Sequence, residues 1–234
     1  MTTPTKPKKK RNILNTPKRI RLPFNPVMVR AILAGEKTET RRMRGLEMVN
    51  KQPDRWHKDS VVNGVVTFSN SKDALIHKVK MPIIPGQSIA VAEAIRLDKK
   101  FDEYTPGQVD HGVFTASETF GTFAALNTYF PASRGRIPEW AGKIHNARFM
   151  PTRLARIELP CLSVKVERLT EILGDEAINE GAFFWARENQ IKVAVHDPRE
   201  TFYQLWDSIN PDNGSKKNPW VFVIKFQKWG EEEQ

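Results

Sequence analysis

A chain of 234 residues, 39% of them hydrophobic, is long enough to bury one ordinary core, yet no run approaches the roughly 20 apolar residues of a membrane-spanning helix. The single cysteine, Cys161, excludes an intramolecular disulfide and any cysteine-rich zinc site, and the five histidines lack ligand spacing, so no metal is expected. The net charge of +10 is uneven: eight cations lie within residues 1–22, leaving +2 for the rest. The N-terminus also lacks the apolar core of a secretory signal, which points to a soluble cytoplasmic protein with no membrane partner.

The basic segment, residues 1–22, carries three prolines and no acid. It is expected to be disordered, either gripping RNA or DNA phosphates through Lys8, Lys9, Lys10 and Arg11 without sequence preference, or serving as a solubilising extension. Asn25 and Pro26 then read as a helix cap and a first-turn proline, Val27 to Leu33 as a short helix, and Gly35 as its stop. A strand follows, placing Lys37, Thr38, Thr40 and Arg42 at its rim. A threonine hydroxyl beside an amine is a candidate nucleophile and base, and Arg41, Arg42 and Arg44 are cations able to lower a lysine pKa or hold an anion. The same run also reads as a solvated strand of alternating polarity. Residues three apart on a regular strand face opposite ways, so Lys37 and Thr40 meet only if the strand is bent, bulged or just beginning.

Residues 45–80 are weakly patterned apart from Asn63-Gly64 between valine pairs, a hairpin signal. Pro85-Gly86 opens a strand over 88–94, in which Glu93 either pairs with a cation or faces a cavity. Residues 98–139 read as an insertion or lid, with a strand over 113–120 and a loop over 128–140 carrying Arg134 and Arg136. Strands are expected over 155–159 and 162–169. Within 170–181 a short helix has Asp175 and Glu176 in its first turn and Gly181 at its end, which leaves Glu180 against the negative end of the dipole: either a proton-transfer group or an exposed glutamate at a frayed end. A helix over 198–209 carries an apolar stripe of Phe202, Leu205, Trp206 and Ile209. An alternating strand over 219–229 is expected to close the sheet, and residues 230–234 form an acidic end.

The run I-L-A-G-E-K-T-E-T-R-R (32–42) resembles the signature of the ASCH domain, a PUA-like β-barrel family linked to RNA. The L-x-x-I-x-x-x-x-A-x-x-E-G helix ending at Glu180-Gly181, the L-W-D-S-I-N segment and N-P-W-V-F-V-I-K-F add to the likeness, which is greatest to the longer phage and prophage members and spans about residues 22–229. The resemblance implies an α+β fold, a PUA-like mixed β-barrel in a single domain over 23–229 with flanking helices and insertions near 45–80 and 98–139. Motif positions shared with the N(4)-acetylcytidine amidohydrolases imply a catalytic set of Lys37, Thr40 and Glu180, with Thr38, Arg42 and Glu93 on the substrate and no cofactor. Arg41 is expected to contact nucleic acid. Ala92-Glu93-Ala94 departs from the arginine, glutamate, threonine, tryptophan run of the phage-type members. The implied function is hydrolysis at a modified nucleoside or RNA base, the alternatives being a non-catalytic RNA- or DNA-binding module and a ribonuclease.

Overall fold

The computed structural model describes residues 18–70, 72–110, 129–131, 136–194 and 196–230. Lys8, Lys9, Lys10, Arg11, the strand expected over 113–120, Arg134 and the acidic end from 231 lie outside the described residues. In chain order the elements are β1 (Arg19–Pro23), α1 (Pro26–Leu33), β2 (Glu39–Arg42), β3 (His57–Val62), β4 (Val65–Asn70), β5 (Leu75–Lys80), β6 (Ser88–Ala92), β7 (Ile95–Asp98), α2 (Pro106–Asp110), β8 (Tyr129–Pro131), β9 (Ala141–His145), β10 (Glu158–Arg168), α3 (Gly174–Asn179), α4 (Ala182–Glu188), α5 (Pro198–Ile209) and β11 (Trp220–Phe226). The architecture is mixed α+β, with the described strands in three sheets. None of the described helices is long and apolar enough to cross a membrane.

The main sheet has the order β1-β6-β10-β11-β2, with β1 parallel to β6 and the other pairs antiparallel. Two expectations are corrected here. The basic segment stops being a tail at Arg19: Arg19 pairs with Glu158 and Leu22 is buried, so Arg19 to Pro23 form an edge strand. The final strand does not close the sheet but lies inside it, between β10 and β2. The reason is visible in Trp-Val-Phe-Val-Ile, which is apolar at both parities and buried on both faces.

The strands expected over 155–159 and 162–169 are one, β10. Glu158 to Pro160 pair with β6, and from Cys161 onward the strand pairs with β11 across an irregularity at Cys161/Ser163. Cys161 is buried, and burial pushes its thiol up to about 11.

The main core joins this sheet to the helices, through Val29 and Ile32 of α1, Val221 and Val223 of β11, and Phe202, Leu205 and Trp206 of α5. Asp197 caps α5 by accepting from the Arg199 amide, with Pro198 in the first turn. Ile209 falls outside the expected stripe and is half exposed at the helix end. Residues 57–62, 65–70 and 75–80 form a three-stranded sheet, β3-β4-β5. Its first turn is made by Asn63 and Gly64, both at positive φ, as a two-residue hairpin requires. Val66, Phe68 and Val79 seat it on Val166, Trp220 and Phe222. A third sheet, β8-β7-β9, has its own small core around Ile95, Leu97, Phe101 and Met150.

Candidate active site

The link between α1 and β2 is fixed at both ends. Asn25 accepts from the Met28 amide to start α1, and Gly35 at φ +70 ends it. Thr38 then donates its amide to the Asn179 carbonyl and accepts at its own carbonyl from the Phe226 amide, both at 2.9 Å. These bonds hold the link against the end of α3 and the end of β11.

Lys37 is consequently pressed against the α3–α4 junction. The junction residue Gly181 sits at φ +80, and a Cβ there would lie 3.3 Å from the Lys37 Cβ, so this position suits glycine on both conformational and steric grounds. Lys37 Nζ donates to the Glu180 carbonyl at 2.7 Å and to Glu180 Oε2 at 2.8 Å. Lys37 and Glu180 are 2% and 4% exposed. Because β2 begins only at Glu39, Lys37 precedes the pleat and the facing rule for strand residues three apart does not separate it from Thr40.

Lys37, Thr40, Arg42 and Glu180 line one cavity of about 1350 Å³, walled in part by Phe24, Phe202 and Trp206. Arg42 donates to the Pro23 carbonyl at 2.8 Å and lies 4.7 Å from the centre of the Phe24 ring, while its Nε finds no partner. Burial is the largest influence on Lys37 and moves its pKa below the ordinary lysine value. Arg42 and Arg41 act in the same direction and Glu180 opposes them.

Glu39 and Arg41 occupy the alternate positions of β2 and enter a second, buried set of charges. Arg41 donates to Glu180 Oε1 at 3.2 Å, Glu167 Oε1 at 2.8 Å and Glu176 Oε2 at 2.6 Å. Lys165 bridges Glu167 and Glu176, and Lys225 pairs with Glu39 at 2.9 Å. The expectation that Arg41 contacts phosphates is therefore corrected: its side chain is fully enclosed and committed to carboxylates. Burial raises the pKa of Glu39, against the pull of Lys225.

Arg41 is on the cavity lining, whereas two residues expected at the substrate lie off it. Thr38 serves through its backbone, as described. Glu93 is fully buried and takes both nitrogens of an Arg156 fork, at 2.7 and 3.2 Å, which is the cation-pairing reading of that carboxylate. The surroundings of Glu180 differ from the expectation of a helix dipole acting alone, since two cations hold its carboxylate. Among the described residues no group of three or more His, Cys, Asp or Glu side chains is arranged for a metal ion.

Sequence reasoning missed Lys165, Glu167, Glu176 and Lys225. The available signal was the spacing of two between Glu39 and Arg41 and between Lys165 and Glu167, which sets charges on one face of each strand. Comparison with protein-family models, with curated proteins and with solved structures found no match.

Proposed function

We propose that this protein is an ASCH-type hydrolase with a PUA-like fold, cleaving the acetyl amide of N(4)-acetylcytidine as a nucleoside or as a base in RNA. The observation that carries the reading is the 2.8 Å contact between Lys37 and Glu180 on the lining of the cavity that Thr40 and Arg42 share. The described main sheet is open, with β1 and β2 at its edges, and the fold reading rests on the sequence resemblance.

In this scheme Thr40 Oγ attacks the acetyl carbonyl carbon while its proton passes to the neutral Lys37 amine, and the carbonyl π pair moves onto oxygen. Collapse of the tetrahedral species breaks the C–N bond. The leaving exocyclic nitrogen takes a proton, supplied from Lys37 through Glu180, whose 2.8 Å separation suits a relay. Water then adds to the threonyl ester with Lys37 again as base, the bond to Thr40 breaks as Lys37 returns that proton to Thr40 Oγ, and acetic acid leaves and ionises to acetate. Arg42, on the lining of the same cavity, orients the substrate.

Incubation with N(4)-acetylcytidine, followed for cytidine and acetate, tests the scheme. Lys37→Ala and Thr40→Ala are each expected to lower the rate by about 10²- to 10⁴-fold. Absence of turnover, or turnover that survives both substitutions, would sink it.

A further inference from the structure

We infer that Arg41 is a positioning residue for this site, holding Oε1 of Glu180 so that Oε2 is kept for Lys37, and setting a fixed positive charge behind the pair. Its chemistry rests on the hydrolase reading above; its placement rests on the geometry of the pair. The described contacts divide the two oxygens of Glu180: Lys37 Nζ takes Oε2 at 2.8 Å and Arg41 Nη1 takes Oε1 at 3.2 Å. The last torsion of a glutamate is broad when free, so a donor on each oxygen fixes which of them faces the amine.

The guanidinium is itself held from behind. Its Nη2 donates to Glu167 Oε1 on β10 at 2.8 Å and to Glu176 Oε2 on α3 at 2.6 Å, which leaves Nη1 for Glu180. Glu167 and Glu176 share the partly exposed Lys165, and Glu39 has the partly exposed Lys225. Glu180 has no such lysine at the surface: among the described residues its carboxylate is bound by Lys37 and Arg41 alone. Arg41 also follows Thr40 directly in β2, so the same anchorage fixes the strand that carries the candidate nucleophile.

The charge of Arg41 acts on the amine as well as on the carboxylate. Lys37 serves as a base only when neutral. Burial disfavours its ammonium form, Glu180 favours it, and Arg42 and Arg41 disfavour it again. The other charged groups around the pair are Glu39 on β2, Lys165 and Glu167 on β10, Lys225 on β11 and Glu176 on α3, all members of the ion set. Burial raises the Tyr203 phenol of α5 above its ordinary value, so it adds no charge. Arg30, Glu36, Arg187 and Glu188 pair with one another at the surface. Removing the Arg41 charge therefore strengthens the hold of Glu180 on the Lys37 proton. Removing the Glu167 charge weakens it, by freeing Arg41 for Glu180 and by taking a negative charge from the neighbourhood.

The test follows the Lys37 amine in the full chain, labelled with ¹³C at lysine Cε and titrated by NMR, with the Lys37 signal identified by its loss in Lys37→Arg. Arg41→Met is expected to move the Lys37 titration to higher pH and Glu167→Gln to lower pH. Arg41→Lys, which keeps a cation beside Glu180, is expected to stay nearer the wild-type position than Arg41→Met. The rate is expected to follow: kcat/KM for N(4)-acetylcytidine at neutral pH falls by about 10-fold or more in Arg41→Met and recovers in part as pH rises, whereas Glu167→Gln carries the climbing limb to lower pH. Support of the fold alone would leave the Lys37 titration in place and lower the rate by one factor at every pH. An unmoved titration, or shifts of the same sign in Arg41→Met and Glu167→Gln, would overturn the inference. Where Arg41→Met does not fold, Glu167→Gln decides: a shift to lower pH supports the inference, and an unmoved or raised titration overturns it.

Acetate release separates the two proposals. If N(4)-acetylcytidine is not cleaved while the Lys37 titration moves in opposite directions in the two variants, the hydrolase reading falls and the placement of Arg41 stands. If acetate is released while the Lys37 titration is the same in the wild type and every variant, the inference about Arg41 falls alone.

Discussion

Lys37 must lose a proton before it can accept one from Thr40, and burial already acts to that end by depressing its pKa below 10.5. The neutral fraction of an amine rises with pH, so kcat/KM for deacetylation is expected to climb and level off at a pH below 10.5. A pH–rate profile reads this directly. Lys37→Arg, which keeps charge but has no accessible titration, is expected to remove the climbing limb along with the activity. Stability has a matching sign. The unfolded chain holds the Lys37 proton more tightly than the folded one, so stability rises with pH between the depressed folded value and 10.5. Gly181 is the second residue on which this geometry depends. Gly181→Ala is expected to cost about 1–2 kcal/mol for its left-handed backbone and to push on the Lys37 Cβ, lowering Tm and kcat together.

At the scale of elements, α1 and β2 are joined by signals that act locally. Asn25→Ala removes the acceptor for the Met28 amide and is expected to cost about 1 kcal/mol in urea denaturation, with the slope unchanged. Such signals are what made the cap, the Gly35 stop, the Asn63-Gly64 turn and α5 legible from residues alone. Each depends on a few neighbouring residues and their allowed backbone angles. The run through Pro160 was not legible in the same way. A proline inside an apolar run reads as a break, whereas here it ends the pairing with β6 just before the pairing with β11 begins. The buried ion set was illegible for a different reason, because Glu39, Glu167 and Lys225 become neighbours only once the order β10-β11-β2 is known. The Lys37–Glu180 pair spans 143 positions; no periodicity connects its members, and only the family resemblance brought them together.

On the scale of the whole molecule, the buried charges act as a clamp between β2, β10, β11 and α3. Glu39, Glu167, Glu176 and Glu180 face Lys37, Arg41, Lys165 and Lys225, four carboxylates against four cations, with Arg41 in contact with all four acids. Removing that one guanidinium leaves four buried carboxylates facing three cations, one buried negative charge in excess, so Arg41→Met is expected to destabilise the protein by about 3–5 kcal/mol at neutral pH. The dependence on pH distinguishes lost charge from lost packing. Desolvation alone would push Glu176 up, but its bonds to Lys165 and the field of Arg41 hold its carboxyl below the ordinary value of 4.5. A folded pKa below the unfolded one contributes stability above 4.5 that is lost as pH falls through the folded value. Glu39, raised by burial, works in the opposite direction and takes its proton first on acidification. In Arg41→Met the excess negative charge raises the folded pKa of these acids and is relieved as they take up protons, so the stability deficit is expected to be largest near pH 7 and to shrink as pH falls toward and below 4.5. Urea denaturation of both proteins at pH 7, 5 and 3 measures the deficit. A deficit that stays constant across the three would mean that Arg41 supports the fold by its packing against Phe202 and not by its charge.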